Sequence, residues 1–186
     1  LWYDEPAAKW VEALPVGNGR ISAMVFGGVG EERLQLNEGT LWAGGPYDPV
    51  NPQAKDALPE VRQLVNEGKY REAAQLLSTK VMAKPLGQMP YQTVGSLFLT
   101  FAGETNSSDY RRELDLDTAT TTTSYIAAGV RFTREVFVSA PDNVIVLRLT
   151  ADQAGKIAFS AGMKTPMRGA AASTVGNDTL VLNGRG

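Results

Sequence analysis

The sequence predicts a mainly β protein whose antiparallel strands form a sandwich or a barrel, interrupted by a pair of helices at about residues 54–81. Two observations support this fold class. Short segments with apolar residues at every second position recur along the chain, and Gly, Pro, Asn and Asp separate them, as in all-β folds. One stretch instead repeats its apolar residues at helical spacing. The 186 residues suffice for one domain with a buried core.

The strands are predicted from their alternation. Segment 21–26 is apolar on both faces apart from Ser22, which favours a buried central strand, and a glycine-rich turn leads from it into segment 33–36 as a hairpin. Threonine hydroxyls in segment 118–125 are expected on a solvated face. Short turns indicate a meander from Tyr110 to Met163. The other predicted strands are 95–101, 110–116, 130–138, 144–149 and 157–163, and segment 180–186 is predicted as a strand that runs into a turn.

The helical pair is predicted from apolar residues at positions 58, 61, 64 and 65, followed by a second periodic stretch over residues 69–80. Pro59 is expected in the first turn of the first helix, and Gly68 at its end. A helical pair within a β meander is an unusual arrangement, so this segment is expected to be an insertion.

Composition excludes several kinds of chemistry. The chain has no cysteine and no histidine, so it cannot form a Ser-His-Asp triad or a Cys- or His-ligated zinc site by itself. A net charge of −2 gives no electrostatic reason to expect nucleic acid or an anionic membrane as a partner. No apolar stretch has the length of a membrane span. No cofactor and no metal site are predicted.

Two short segments carry side chains suited to binding. Asn18 lies between two glycines in residues 14–20, which indicates either a shaped turn or a backbone loop that faces a sugar. Asn37, Glu38, Thr40 and Trp42 combine an amide, a carboxylate, a hydroxyl and an indole, and sugars bind such mixtures. The alternative is that Trp42 packs on the core while Asn37 and Glu38 cap a turn.

Four carboxylates do not fall on obviously solvated faces: Glu38, Asp48, Glu60 and Glu104. Glycosidases place an acid and a base or nucleophile roughly 5–10 Å apart, but no spacing in the sequence indicates that two of these converge. Because most acidic residues are solvated surface groups, the surface interpretation is favoured. The aspartates near strand ends are expected to shape turns.

Five blocks, in order, resemble the N-terminal domain of glycoside hydrolase family 95. They are PVGNGRISAMVFGG, LQLNEGTLWAGGP, YQTVGSLFLTF, YRRELDLDTATTTTSY and VRFTREVFVSAPDNVIVLRLTAD, and the resemblance covers about residues 1–163. It implies a β-super-sandwich that precedes an (α/α)6 barrel in inverting α-L-fucosidases, some acting on α-L-galactosides. The acid and the asparagine-assisted base would lie in that barrel, so no catalytic residue is expected in this chain. Gly39, Ser22 and Ser96 depart from the family pattern.

The resemblance leads to one interpretation and one main alternative. Residues 1–186 would be a non-catalytic sandwich, truncated at its C-terminal end, that packs on the absent catalytic barrel of the same polypeptide and contributes a loop to the cleft for a fucosylated glycan. The alternative is a free-standing carbohydrate-binding module. An exported bacterial protein, periplasmic or extracellular, is expected, with the cytoplasm as the other possibility. The predicted substrate-facing residues are Asn18, Asn37, Glu38, Thr40, Trp42 and Gln92.

Overall fold

The computed structural model describes residues 1–87, 89–103 and 106–184, which form twelve β-strands and two α-helices. The chain divides into a β unit, Leu1–Leu41 with Gln92–Gly186, and a helical unit, Trp42–Tyr91. The strands are β1 Trp2–Tyr3, β2 Leu14–Gly17, β3 Ile21–Val25, β4 Glu31–Glu38, β5 Gly95–Phe101, β6 Ser108–Asp115, β7 Thr120–Ala127, β8 Val130–Ser139, β9 Val144–Ala151, β10 Phe159–Lys164, β11 Ala171–Val175 and β12 Thr179–Asn183.

The β unit contains two five-stranded antiparallel sheets. The first sheet has the order β1-β6-β7-β8-β9, and the second has the order β10-β5-β4-β3-β2, while β11 and β12 form a separate hairpin. Among the described strands neither sheet closes on itself, which confirms the mainly β, antiparallel prediction and favours the sandwich over the barrel. The meander prediction is confirmed for β6 to β9 only. Strand β10 leaves it and pairs with β5 in the second sheet, because alternation defines a strand's faces but not its neighbour.

The core of the β unit lies between the two sheets. Val16, Ala23, Val25 and Leu34 of the second sheet pack with Val136 of the first, and each is at most 4% exposed. Burying one of these valine or leucine side chains stabilises the fold by about 1.5–3 kcal/mol relative to an exposed one. Strand β3 lies between β2 and β4, so the predicted buried central strand and its hairpin are confirmed.

A buried ion pair joins the two sheets through this core. Arg134 on β8 is 3% exposed and Glu32 on β4 is 1% exposed, with 3.1 Å between Nη1 and Oε2. Arg134 also donates hydrogen bonds to the backbone carbonyls of Gly28 and Val29 and to the hydroxyl of Tyr125. Burial raises the pKa of the Glu32 carboxyl, and the Arg134 guanidinium opposes that rise. The pair is therefore a structural link whose cost of burial is offset by several hydrogen bonds.

In the first sheet, several polar residues face inward, which differs from the prediction. Thr121 and Thr123 on β7 are 1% and 3% exposed, so the expectation that the threonine hydroxyls lie on a solvated face is wrong for these two. Thr121 satisfies its hydroxyl by donating to the carbonyl of Val136. On β6, buried Arg112 donates to the carbonyl of Glu5 at 2.7 Å. A polar side chain can face the core when the neighbouring backbone supplies its partners.

The helical unit confirms the predicted pair. Helix α1 is Ala54–Asn66 and α2 is Tyr70–Leu76, followed by a π-helical turn at Leu77–Val81. Gly68 follows α1 with φ of 73°, as expected at a helix end, but Pro59 lies inside α1 rather than in its first turn because the helix begins earlier. Neither helix, in the part of the chain that the structure describes, is long and apolar enough to cross a membrane.

Candidate functional site

One end of the second sheet brings together the turn between β2 and β3 and the end of β4. In that turn the Asn18 Oδ1 accepts hydrogen bonds from the backbone N–H groups of Arg20 and Ile21, both at 2.9 Å. Its Nδ2 donates to the Ser139 carbonyl at 3.1 Å and to the Asn143 Oδ1 at 3.0 Å, in the turn between β8 and β9. Asn18 thus shapes its own turn and ties it to the first sheet, as the shaped-turn interpretation expects.

Glu38 closes the end of β4 onto the same turn. Its Oε2 accepts hydrogen bonds from the Thr40 hydroxyl at 2.7 Å and the Thr40 N–H at 2.9 Å, and its Oε1 lies 3.3 Å from the Arg20 Nε. The side-chain and backbone hydrogen bonds from Thr40, with Arg20, lower the pKa of the Glu38 carboxyl. A carboxylate held ionised in this way is suited to accepting hydrogen bonds, and it is a poor general acid at neutral pH.

Asn37 and Gln92 flank this end of the sheet. Asn37 lies opposite Ser22 in the β3–β4 pairing, on the outer face, since the adjacent Leu36 packs against the core. The backbone N–H of Gln92 donates to the Leu41 carbonyl at 3.0 Å. Its side-chain Oε1 is buried and accepts no hydrogen bond from the residues that the structure describes. Buried side-chain oxygens are usually hydrogen-bonded, so this oxygen is an exception among the described residues.

Trp42 belongs to the helical unit. The residue is 51% exposed, and its ring contacts Tyr91 edge-on, with 5.0 Å between ring centroids. The structure therefore brings Asn18, Glu38 and Thr40 together at one end of the second sheet and describes Trp42 with the helical unit instead. Trp42 as a residue is thus exposed, as a stacking role would need.

The predicted carboxylate candidates make local contacts. Asp48 accepts the Val50 N–H at 2.9 Å, and Glu60 is exposed on α1, while Glu104 lies outside the described residues. Asp115 caps a turn by accepting the Asp117 N–H at 2.9 Å, as expected of aspartates near strand ends. Within residues 1–87, 89–103 and 106–184, no group of three or more acidic side chains could hold a metal ion.

The outer face of the second sheet has a cleft that was not predicted from the sequence. It has a volume of about 300 Å³ and is lined by residues that include Arg33, Gln35, Ser96, Phe98 and Lys164. The outward-facing positions 33, 35 and 37 of β4 were the available signal, because three consecutive outward side chains there are polar or charged. The cation that faces them from β10 is not visible without the strand order.

Comparison with known proteins supports the family resemblance. Residues 1–186 match the family model described as "Glycosyl hydrolase family 65, N-terminal domain". The chain is 43% identical over 164 residues to Alpha-L-fucosidase 2 of Arabidopsis thaliana, covering 86% of this chain and 19% of that protein. It is 32% identical over 166 residues to Probable alpha-fucosidase A of Aspergillus niger, covering 82% of this chain and 20% of that protein.

These matches confirm the resemblance at the level of an N-terminal domain of fucosidase-like glycoside hydrolases. The chain spans about a fifth of the length of the curated relatives it matches. The family number 95 stays a prediction, since the matching model is described as family 65. The bacterial source stays a prediction too, since these relatives are from a plant and a fungus. By its match over residues 1–186, the chain belongs to the glycosyl hydrolase family 65 N-terminal domain family.

Proposed function

We propose that this chain is the non-catalytic N-terminal sandwich of an inverting α-L-fucosidase. In this proposal it packs on a catalytic domain of the same polypeptide. The end of the second sheet that carries Asn18, Glu38 and Thr40 contributes to the cleft that binds a fucosylated glycan. The observation that carries the proposal is that the family match covers residues 1–186, whereas the fucosidase relatives are about five times longer than the segment they share with this chain.

The chemistry of that end of the sheet suits binding rather than bond cleavage. Inverting hydrolysis needs a protonated carboxyl and a carboxylate about 6.5–9.5 Å apart across the scissile bond. Glu38 is held ionised by Thr40 and Arg20, so it can accept hydrogen bonds from sugar hydroxyls but does not supply the proton.

Hydrolysis of an aryl α-L-fucoside tests the non-catalytic part of the proposal. The purified 186-residue chain is expected to release no aryl alcohol above the uncatalysed rate, and the protein from the complete reading frame is expected to turn the substrate over. Turnover that follows the purified chain and disappears in Glu38→Gln would contradict the proposal. A reading frame that encodes no further domain would contradict it as well.

Kinetics of the full-length enzyme test the contribution to the cleft. Glu38→Gln is expected to raise KM for a fucosylated oligosaccharide by about tenfold with little change in kcat, because a lost charged hydrogen bond costs about 1.5–3 kcal/mol of binding. The matched control is Glu135→Gln, which removes a carboxylate from an exposed ion pair on the first sheet. Equal KM values for the two variants would show that this end of the second sheet does not contact substrate.

A further inference from the structure

We infer that the cleft on the outer face of the second sheet binds the carboxylate of an acidic sugar. Two cations reach this cleft from different strands, Arg33 from β4 and Lys164 from β10. The Lys164 Nζ lies 5.2 Å from the Phe98 ring centroid, and the Arg33 Cζ lies 5.9 Å from the same ring. In the described part of the chain neither cation forms an ion pair, and an anion between them would relieve their mutual repulsion.

Arg33 is held in place with part of its donor set unused. Its Nε donates to the Ser96 hydroxyl at 3.2 Å and its Nη2 to the Gln35 Oε1 at 3.4 Å. The guanidinium also lies 4.7 Å from the centroid of the buried Phe26 ring. A guanidinium has five N–H donors, so these two bonds leave the Nη1 donors and one on Nη2. That free edge is the geometry that binds a carboxylate through two parallel hydrogen bonds.

The space beside this edge suits one sugar unit. The cleft volume of about 300 Å³ is at the lower end of the range for small-molecule sites. Gly162 lies opposite Phe98 across the β5–β10 pairing, and a side-chain carbon added there would meet nothing within 4 Å. Glu31, the next outward-facing residue of β4, forms no ion pair with Arg33 among the described residues. The cleft is therefore open and has a cationic donor on each of the two strands that flank β5.

The inference rests on the proposed function for one point only, the carbohydrate nature of the ligand. The cationic edge by itself selects a carboxylate. In the glycan substrates of such an enzyme, uronic acid residues carry the carboxylates. Binding here would hold an acidic unit of the glycan away from the bond that is cleaved. Absence of fucoside hydrolysis by the full-length protein would thus refute the proposed function without affecting this site, and failure to bind a uronate would refute this site alone.

Titration of the 15N-labelled chain with galacturonate, followed by amide chemical shifts, tests the site. Saturable amide shifts are expected at Arg33, Ser96 and Lys164. Added salt is expected to weaken the binding, because the cleft is open to solvent. Galactose, which lacks the carboxylate, is expected to cause none. Arg33→Gln should raise the dissociation constant by about tenfold or more, and Lys164→Gln should raise it by a smaller factor. Lys156→Gln removes an exposed lysine outside this cleft and should leave the affinity unchanged.

Several outcomes would overturn the inference. Equal binding of galactose would remove the role of the carboxylate, and equal binding of acetate would remove the role of the sugar. Tighter binding of inorganic sulfate would identify a site for small inorganic anions instead. If Arg33→Gln unfolds, as judged by circular dichroism, Arg33→Lys replaces it: the charge stays but the planar edge is lost, and unchanged affinity would then contradict the proposed geometry.

Discussion

Replacing Arg134 by methionine is expected to destabilise the β unit strongly. Arg134 is 3% exposed between the two sheets and donates to the carboxyl of Glu32, 3.1 Å away. Methionine keeps a long unbranched side chain and removes every side-chain N–H donor. The variant would leave the carbonyls of Gly28 and Val29 without these donors and Glu32 without its cation. The lost interactions are those of a buried charge, not of surface packing.

The magnitude follows from burial. Removing one member of a buried ion pair costs about 3–5 kcal/mol, since the partner stays buried and uncompensated. Domains of this size have a total free energy of unfolding of about 5–15 kcal/mol, so the variant would lose a large share of it. With a urea m value of about 2 kcal/mol/M, a loss of about 4 kcal/mol lowers the midpoint by about 2 M.

Equilibrium urea unfolding, followed by far-ultraviolet circular dichroism, measures this loss. Arg148→Met is the matched control, because Arg148 is 69% exposed and its Nη1 lies 3.3 Å from Glu135 in a surface ion pair worth at most about 1 kcal/mol. Because burial raises the pKa of Glu32, adding Glu32→Gln to Arg134→Met should recover part of the loss, and more of it at alkaline than at mildly acidic pH. Equal costs for the two arginine variants would refute the reasoning.

Three further predictions concern single side chains of the β unit. Tyr110→Phe removes the hydroxyl that donates to the Gly27 carbonyl at 2.6 Å and should lower the free energy of unfolding by about 1 kcal/mol. Burial raises the pKa of Tyr110. The native chain therefore loses stability as pH rises above about 10, where the unfolded tyrosine ionises. Unfolding curves across that pH range should show a smaller loss of stability in Tyr110→Phe. Gly95→Ala should lower the free energy of unfolding by about 1–3 kcal/mol, because Gly95 has φ of 139° and the added carbon would lie 2.4 Å from a carbonyl oxygen. Thermal unfolding measures this loss. The control Gly45→Ala should change little, because Gly45 has open space around it. Asn18→Ala should cost about 1–2 kcal/mol, because it removes the acceptor for two turn N–H groups. Asn18→Asp keeps that acceptor but loses the amide that donates to Ser139 and Asn143, so it should not restore the native stability. A native urea midpoint for either variant would contradict the assigned role of Asn18.

The candidate site was predicted in part, and the limits have a physical cause. Asn18, Glu38 and Thr40 were identified from chemistry that short turns share with sugar-binding loops, and the structure brings them together through bonds local to the β2–β3–β4 region. Arg33 and Lys164 were missed, since 131 positions separate them in the chain. Only the strand order, with β5 between β4 and β10, places both cations on one face.

The sequence by itself determined the elements: most of the strands, the helical pair, and the family to which the chain belongs. Period-2 and helical spacings are local properties, so each segment carries its own signal. Tertiary structure alone decided which edge β10 joins, that Thr121 and Thr123 face inward, and that Glu32 and Arg134 meet in the core. These outcomes depend on partners distant in the chain, because a buried polar group is tolerated only where another strand supplies its hydrogen bonds.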